Sequence, residues 1–246
     1  MAVALLAWGA RSLTGGGAVA AWVIGTAVLA GTGWAGGAVL AAFFVSSSVI
    51  GRLAPAPAGL DPKGERRDPR QVVANGGPAA LGALLGLHDP SLGLWIVTGS
   101  LAAAAADTWA TGLGGWSPTP PRRLLLGTKL RPGASGGMTV VGTLGAAAGA
   151  LLVAATGSVA GGAALLGIGT LVGFAGMLVD SALGSGWQGR FHCPACDMAS
   201  EWRVHRCGAR TTRVGGMAWL DNDGVNLAAT ASGAMLAGAA WLCWFH

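Results

Sequence analysis

The chain has 246 residues, of which 52% are hydrophobic and only 10% are charged. Soluble domains carry about 25% charged residues, so this composition excludes an ordinary soluble domain and predicts an integral membrane protein. The formal net charge of +5 is explained by basic loops that lie against anionic lipid headgroups. Nucleic acid is not expected as a partner, because the sequence has no folded basic domain to bind it.

Apolar segments follow one another along the chain, at residues 1–10, 17–31, 33–50, 71–87, 91–112, 138–156, 160–183 and 222–244. A membrane-spanning helix needs about 20 residues. Residues 1–10 are therefore too short to cross cleanly, and the others are predicted spans. The predicted fold is all-α, a polytopic membrane helix bundle of about 7 (6–8) helices, in which residues 1–246 form a single integral-membrane domain.

The 15 basic residues fall into groups separated by pairs of predicted spans. The groups are Arg11; Arg52, Lys63, Arg66, Arg67 and Arg70; Arg122, Arg123, Lys129 and Arg131; and Arg190, Arg203, Arg206, Arg210 and Arg213. Two spans between neighbouring groups put them all on one side, which the positive-inside rule makes cytoplasmic. The sequence thus predicts a multi-pass protein of the cell membrane with three charged cytoplasmic loops.

Carboxylates stand at the cytoplasmic ends of three predicted spans. Asp107 and Asp180 lie near the C-terminal ends of their segments, and Asp221 and Asp223 open the last segment. Carboxylates at one depth repel one another unless a cation lies among them, and oxygen ligands that share coordination with phosphate suit Mg²⁺. An N-cap is an equally good interpretation of Asp221. The helix dipole disfavours an anion at a C-terminal end, so a structural role explains Asp107 and Asp180 poorly.

A Gly-rich stretch, residues 133–137, precedes the helix predicted at 138–156, and two cations come just before it. Glycine lets backbone N–H groups converge, and a helix N-terminus favours anions. A simple turn is the alternative interpretation. The predicted phosphate-binding residues are Lys129, Arg131, Ser135, Gly136 and Gly137.

Polar side chains also begin the segment at 71–87. Gln71 and Asn75 are four residues apart and share a helix face. Together with Arg67 and Arg70 they are candidates for nucleotide or phosphate contact, and a solvated loop is an equally good alternative. Near the last segment, Asn226 shares a helix face with Asp223 in the same way.

The loop at 188–216 holds a Cys/His cluster, which consists of Cys193, Cys196, His205 and Cys207. Cys-x-x-Cys followed by His and Cys resembles a structural zinc site, although the His-x-Cys spacing is atypical. A disulfide is disfavoured because a cytoplasmic loop keeps thiols reduced. We therefore predict a zinc-binding subdomain in this loop, with His192 as a substitute ligand. Cys243 is expected to be a buried, inert apolar residue.

Motif stretches carry a family resemblance along nearly the whole chain, at residues 66–76, 106–111, 133–139, 173–181, 193–196, 205–208 and 220–226. With these stretches the chain resembles the integral-membrane family of domain of unknown function 92. That family includes transmembrane protein 19 and plant phytyl-phosphate kinase. The layout is more loosely similar to CTP-using lipid enzymes, such as phytol and dolichol kinases and CDP-lipid synthases.

The resemblance implies a prenyl-phosphate kinase. Such an enzyme transfers a phosphoryl group from a nucleoside triphosphate, with CTP favoured over ATP, to an isoprenoid monophosphate such as phytyl or geranylgeranyl phosphate. The catalytic residues would be Asp107, Asp180, Asp223, Lys129 and Arg131. The Mg²⁺ ligands would be Asp107, Asp180, Asp221 and Asp223. Substrate or nucleotide contacts would come from Arg67, Arg70, Gln71, Asn75, Thr108, Thr111, Ser135, Gly136, Gly137, Ser181, Asn222 and Asn226.

Two other functions stay open at this point. A CTP-dependent cytidylyltransferase that makes a CDP-lipid would use the same metal and nucleotide residues. A non-enzymatic lipid or ion transporter would need polar groups deep in the spans, and the scarcity of charge on the outer side argues against it. The sequence also leaves open whether the partners include a second copy of the chain.

Overall fold

The structure is a computed structural model that describes residues 2–55, 66–124 and 126–245. Its helices are α1 Ala2–Gly9, α2 Gly15–Leu53, α3 Pro69–Leu85, α4 Pro90–Gly114, α5 Val140–Gly161, α6 Ala163–Gly186 and α7 Asn222–Phe245. The predicted helical bundle is therefore confirmed as the main architecture. Polar loop residues also form short strands beside the helices.

Two small antiparallel sheets lie in the loops between helices. Strands β1 Arg122–Arg123 and β2 Gly137–Met138 pair with each other between α4 and α5. Strands β3 Arg190–Cys193, β4 Met198–Ser200 and β5 Thr212–Gly215 form a second sheet, with β3 in the middle. This second sheet occupies the loop predicted to bind zinc.

Helix α2 is a hairpin of two helical arms. The chain reverses at Gly33, whose φ of 60° and ψ of −154° are open to glycine. Arg52, in the last turn, donates hydrogen bonds to the Ala10 carbonyl (2.9 Å) and the Ser12 hydroxyl (2.8 Å), which precede the first turn. The two predicted segments in this region are therefore the two arms of the hairpin.

Helix α4 lies at the centre of the bundle and packs against α2, α3, α5, α6 and α7. Small residues permit this packing. A methyl group at Gly173 of α6 would lie 2.6 Å from the Cβ of Ala102, and one at Gly149 of α5 would lie 2.9 Å from the Ala105 carbonyl. Small residues at such positions let helix backbones approach closely. The position of α4 brings its C-terminal end among its neighbours.

Within the part of the chain that the structure describes, four helices are long and apolar enough to cross a membrane by length and composition: α2, α5, α6 and α7. The predicted count of about seven spans stays a prediction. The first apolar segment, residues 1–10, forms the eight-residue helix α1.

The charged loops meet at one end of the bundle, which we call the loop face. It comprises residues 10–14, 52–55, 66–70, 112–124, 126–139 and 184–222. Contacts join these segments: the Thr14 N–H donates to the Arg67 carbonyl at 3.0 Å, and Arg70 pairs with Asp221 at 3.0 Å. Lys63, predicted in one of these loops, lies outside the described residues. The opposite end has tight turns, with Asp89 capping α4.

Candidate functional site

Three helices meet one turn below the predicted acidic site. A methyl group at Gly176 of α6 would lie 2.5 Å from the Cβ of Ala103 in α4 and 2.9 Å from the Ala229 carbonyl in α7. Helices α4 and α6 run in the same direction, toward the loop face. Asp107 and Asp180 each follow this contact by one helical turn, so they arrive at the same level.

Asp107 and Asp180 line one cavity of about 40 Å³ at the loop face, which we call the acidic cavity. Its other polar lining includes Thr111, Thr139, Thr143 and Ser181 and the backbone of Gly136 and Gly137. The Oδ2 atom of Asp180 is buried from solvent. The predicted site residues found in this lining are Asp107, Thr111, Gly136, Gly137, Asp180 and Ser181. Sequence analysis did not assign roles to Thr139 and Thr143, although Thr139 closes the 133–139 motif.

The Gly-rich loop lies against the C-terminal end of α6. Gly136 has a φ of 70°, and a Cβ there would collide with the Ser181 carbonyl and the Ser185 N–H. Glycine is therefore required by both conformation and space. The loop then enters α5 through Thr139, whose hydroxyl accepts from the Gly142 N–H at 3.0 Å. This cap fixes the point at which the loop meets the cavity.

Glu201 links the Gly-rich loop to the sheet of the Cys/His loop. Its Oε1 atom accepts hydrogen bonds from the Ser135 hydroxyl and from the Gln188 amide, the latter at 3.2 Å. Ser135, predicted to contact nucleotide, is thus engaged with Glu201 and lies outside the cavity lining. Sequence analysis missed Glu201 because an isolated acidic side chain among basic residues belongs to no recognisable motif.

A larger, mostly apolar groove of about 390 Å³ adjoins the acidic cavity, and we call it the apolar groove. It shares Met138, Thr139 and Thr143 with the cavity lining. Its further lining includes Arg122, Arg123, Leu124, Val140 and Leu144. The Nε atom of Arg123 is buried.

The two cations predicted to bind phosphate lie outside the lining of the acidic cavity. Lys129 and Arg131 are exposed on the loop face and line neither the cavity nor the groove. Arg122 and Arg123 line the groove instead. They form strand β1 and pair with Gly137–Met138, which brings them to the groove beside the cavity. The sequence contains a pair of adjacent arginines before an apolar run. Only the pairing of β1 with β2 shows that these arginines line the apolar groove.

Asp221 has protein partners for both carboxylate oxygens. Its Oδ1 accepts from the Gly224 N–H at 2.9 Å, and its Oδ2 accepts from Arg70 at 3.0 Å. The geometry therefore agrees with the N-cap interpretation. Asp223, in the first turn of α7, has its Oδ1 atom buried and does not line the acidic cavity. Asn222 and Asn226 also lie outside that lining.

Arg67 is enclosed by aromatic rings at the start of α3. Its guanidinium carbon lies 5.9 Å from the ring centroid of Phe43 and 5.7 Å from that of Phe44. Burial lowers the pKa of Arg67. Its backbone also bonds to Ser12 and Thr14. These backbone bonds join the residues that precede α2 to the residues that precede α3.

The remaining predicted contact residues have helix partners. The Gln71 side chain accepts from the Asp68 N–H at 3.2 Å, completing a capping box. Asn75 donates to the Gln71 carbonyl at 2.8 Å, and Thr108 donates to the Ala104 carbonyl at 2.9 Å. None of these three predicted contact residues lines the acidic cavity.

The Cys/His cluster is assembled as predicted. The ligand atoms of Cys193, Cys196, His205 and Cys207 all lie within 4.8 Å of one another. The contact with the His205 ring at 3.1 Å lowers the pKa of Cys207 to about 6. The hydrogen bond with Cys207 raises the pKa of Cys196 to about 11.

The structure also bears on two further predictions, those for His192 and Cys243. His192 pairs with Asp197 at 3.0 Å, so its ring is engaged beside the cluster. Cys243 is exposed on α7, and the expectation that it would be buried was wrong. It faces outward because the buried stripe of α7 passes through Ala237 and Trp241 instead.

Comparison with known proteins adds the family. A family model described as integral membrane protein DUF92 matches residues 1–234. Neither the curated proteins nor the solved structures contain a match to the chain. The family match covers the acidic cavity, the apolar groove and the Cys/His cluster. The chain therefore belongs to the DUF92 family of integral membrane proteins.

Proposed function

We propose that this protein transfers a phosphoryl group from a nucleoside triphosphate to an isoprenoid monophosphate, yielding the diphosphate at the loop face. One observation carries the proposal: an acidic cavity suited to phosphates and a divalent cation shares its wall with an apolar groove. A lipid phosphate has a polar head and an apolar tail, and it fits such a pair of neighbouring sites. We also propose that the loop face is cytoplasmic, the side on which nucleotides are available.

The apolar groove is the proposed site of the lipid next to its phosphate. Leu124, Val140 and Leu144 supply apolar surface for the tail. Arg122 and Arg123 lie on the same lining and can pair with the phosphate through charge-assisted hydrogen bonds. The tail would continue along exposed apolar residues of α5 such as Leu151.

The residues of the acidic cavity fit a magnesium ion. Asp107 and Asp180 offer carboxylate oxygens, and Thr111 and Ser181 offer hydroxyl oxygens, in a cavity large enough for an ion with water. Hard oxygen donors of this kind suit Mg²⁺ better than Zn²⁺. When bound there, the ion would offset the charge of the transferring phosphoryl group.

The protein's own contribution would be positioning and charge neutralisation. An oxygen of the lipid monophosphate attacks the terminal phosphorus of the nucleotide, and the bond to the leaving nucleoside diphosphate breaks. A phosphate monoester is already an anion, so the step needs no protein base. The Gly-rich loop would approach the nucleotide phosphates closely, since Gly136 and Gly137 line the cavity.

The first test compares identical Asp→Asn changes at the two ends of the bundle. Detergent-purified protein receives phytyl or geranylgeranyl monophosphate, Mg²⁺, and CTP or ATP in separate reactions. We expect a prenyl diphosphate from the unchanged protein and its loss in Asp107→Asn and Asp180→Asn. Asp89→Asn is the matched control, because an Asn also caps a helix and this residue lies at the far end of α4.

Other products would redirect the proposal. A CDP-lipid together with pyrophosphate would make the protein a cytidylyltransferase, which would use the same cavity. No product from folded protein with any of these lipids and nucleotides would contradict an enzymatic role. Flux of lipid or ions through reconstituted vesicles would then identify a transporter.

A further inference from the structure

The Cys/His cluster has the dimensions of a tetrahedral metal site. With metal–ligand distances of about 2.0–2.3 Å, neighbouring ligand atoms in a zinc tetrahedron lie roughly 3.3–3.8 Å apart. The Sγ atoms of Cys193 and Cys207 are 3.7 Å apart. A disulfide requires an S–S distance of about 2.05 Å, so these thiols are not joined. Four ligand atoms within 4.8 Å of one another can converge on one ion.

The backbone presents these ligands from two tight turns. Cys193 ends β3, and Cys196 lies in the turn that leads to β4, where Asp197 has a left-handed φ of 51°. On the other side, the Gly208 N–H donates to the His205 carbonyl at 2.8 Å, and Gly208 has a φ of 85°. Each turn holds a pair of ligands in place before any ion arrives.

The sheet around the cluster has little else to hold it together. Its strands have three or four residues each. Cys193 and His205 are buried, whereas Cys196 and Cys207 are exposed. Such a small unit lacks the apolar core that stabilises larger sheets, and structural metals commonly replace that core. The buried ligands anchor the turns, and the exposed ones face the loop surface.

We propose that this cluster binds one structural zinc ion, which holds the Gly-rich loop at the acidic cavity through Glu201. Glu201 directly follows β4 and accepts hydrogen bonds from Ser135 and Gln188. Ser135 adjoins Gly136, which lines the cavity. The ion would hold the turn that leads to β4 in position, and β4 would in turn hold Glu201 beside Ser135. This inference concerns a second metal centre and does not depend on the reaction proposed above.

Zinc is the metal that the donor set selects. Three thiolates and one imidazole are soft to borderline donors, which suit Zn²⁺ in a closed tetrahedral site. Magnesium and calcium require oxygen donors. An iron–sulfur cluster generally takes four thiolates, and this cluster has three.

The first experiment measures metal content in the full-length protein, purified without chelator, by atomic emission. We expect about one zinc per chain, and its loss in Cys196→Ser and in His205→Asn. Two matched controls should keep the zinc: Cys243→Ser removes a thiol outside the cluster, and His192→Asn removes the neighbouring imidazole. Cobalt exchanged into the unchanged protein should produce thiolate-to-metal charge-transfer absorption. Protein that stays free of zinc and cobalt after reconstitution, or cluster variants that retain both, would overturn the zinc site.

The second experiment tests the link to the Gly-rich loop without using catalysis. Hydrogen exchange at residues 133–137 should become about tenfold faster when zinc is chelated, because the loop then opens locally. Glu201→Gln and Ser135→Ala should give a similar increase while zinc content stays at one per chain. Unchanged exchange in all three cases would overturn the positioning role, whatever the protein's enzymatic activity.

Discussion

The aspartates that belong to the described helices or precede them occupy two kinds of position, at the beginnings of helices and near their ends. Asp68, Asp89 and Asp221 precede α3, α4 and α7, and each accepts hydrogen bonds from backbone N–H groups of the helix it begins. Asp107 and Asp180 lie in the last two turns of α4 and α6. Helix formation alone accounts for the first group. It does not account for the second.

The difference follows from helix electrostatics. The N-terminal turn exposes N–H groups and partial positive charge, so a carboxylate there stabilises the helix. The C-terminal turns carry partial negative charge, and their N–H groups are already bonded to carbonyls. Asp107 and Asp180 nevertheless share one cavity with the Gly-rich loop. Position along the helix thus separates the carboxylates that cap helices from the two that we propose as metal ligands.

The largest expected effect comes from neutralising the cavity pair. Asp107→Asn or Asp180→Asn should reduce prenyl diphosphate formation at least about a hundredfold, since each removes charge from the proposed site of phosphoryl transfer. Thermal unfolding in detergent, followed by tryptophan fluorescence, should show that both variants remain folded. If activity stayed within a few-fold of that of the unchanged protein, Asp107 and Asp180 would have no special role compared with the capping aspartates.

The Gly-rich loop gives the next largest effect. Gly136→Ala adds a methyl group that collides with Ser181 and Ser185 in a left-handed backbone. We expect a loss of stability of about 1–3 kcal/mol and a loss of activity, because the loop must move off α6. Gly162→Ala is the matched control: its φ is 83°, no atom lies within 4 Å of the added methyl, and it lines neither the cavity nor the groove. Equal effects in the two variants would show that backbone strain alone, and not the contact with α6, is responsible.

Capping aspartates should affect stability and leave the chemistry intact. Asp68→Ala removes a capping box at the start of α3, and a lost N-cap costs about 1 kcal/mol. Asp68→Asn should cost much less, because an amide oxygen can still accept the bond from the Gln71 N–H. Thermal unfolding of the pair measures this difference. A large drop in product formation at full substrate saturation in Asp68→Asn would contradict the assignment of this carboxylate to the fold alone.

Much of this architecture could be predicted from the sequence, because hydropathy and helix caps act locally. The apolar segments, the hairpin arms around Gly33 and the common end of the charged loops all follow from patterns of neighbouring residues. Asp107 and Asp180 could be brought together in the same way, since each stands near the end of a helix that runs toward the loop face. The zinc-like spacing of the Cys/His cluster is local too.

Long-range pairings could not be predicted. Arg122 and Arg123 reach the apolar groove only because β1 pairs with β2 across the Gly-rich loop. Glu201 meets Ser135 across 66 positions of the chain. Lys129 and Arg131 were assigned to phosphate because they are close in sequence to the Gly-rich stretch, yet they are exposed and do not line the cavity. Proximity along a loop is a weak guide to proximity in space.

The smallest expected effect concerns Arg70, for which the structure and the sequence indicate different roles. Its side chain is 72% exposed and pairs with the capping residue Asp221. An exposed ion pair contributes about 0–1 kcal/mol, so Arg70→Gln should change the unfolding temperature only slightly. The sequence-based prediction that Arg70 contacts nucleotide adds a second outcome, a several-fold rise in KM for the nucleotide with kcat little changed. Measuring both in Arg70→Gln, with Arg210→Gln as an exposed control on the same face, separates the two roles. An unchanged KM would leave Arg70 with Asp221 as part of the fold, and the nucleotide would then have to be held by residues nearer the cavity, with Arg122 and Arg123 the next to substitute.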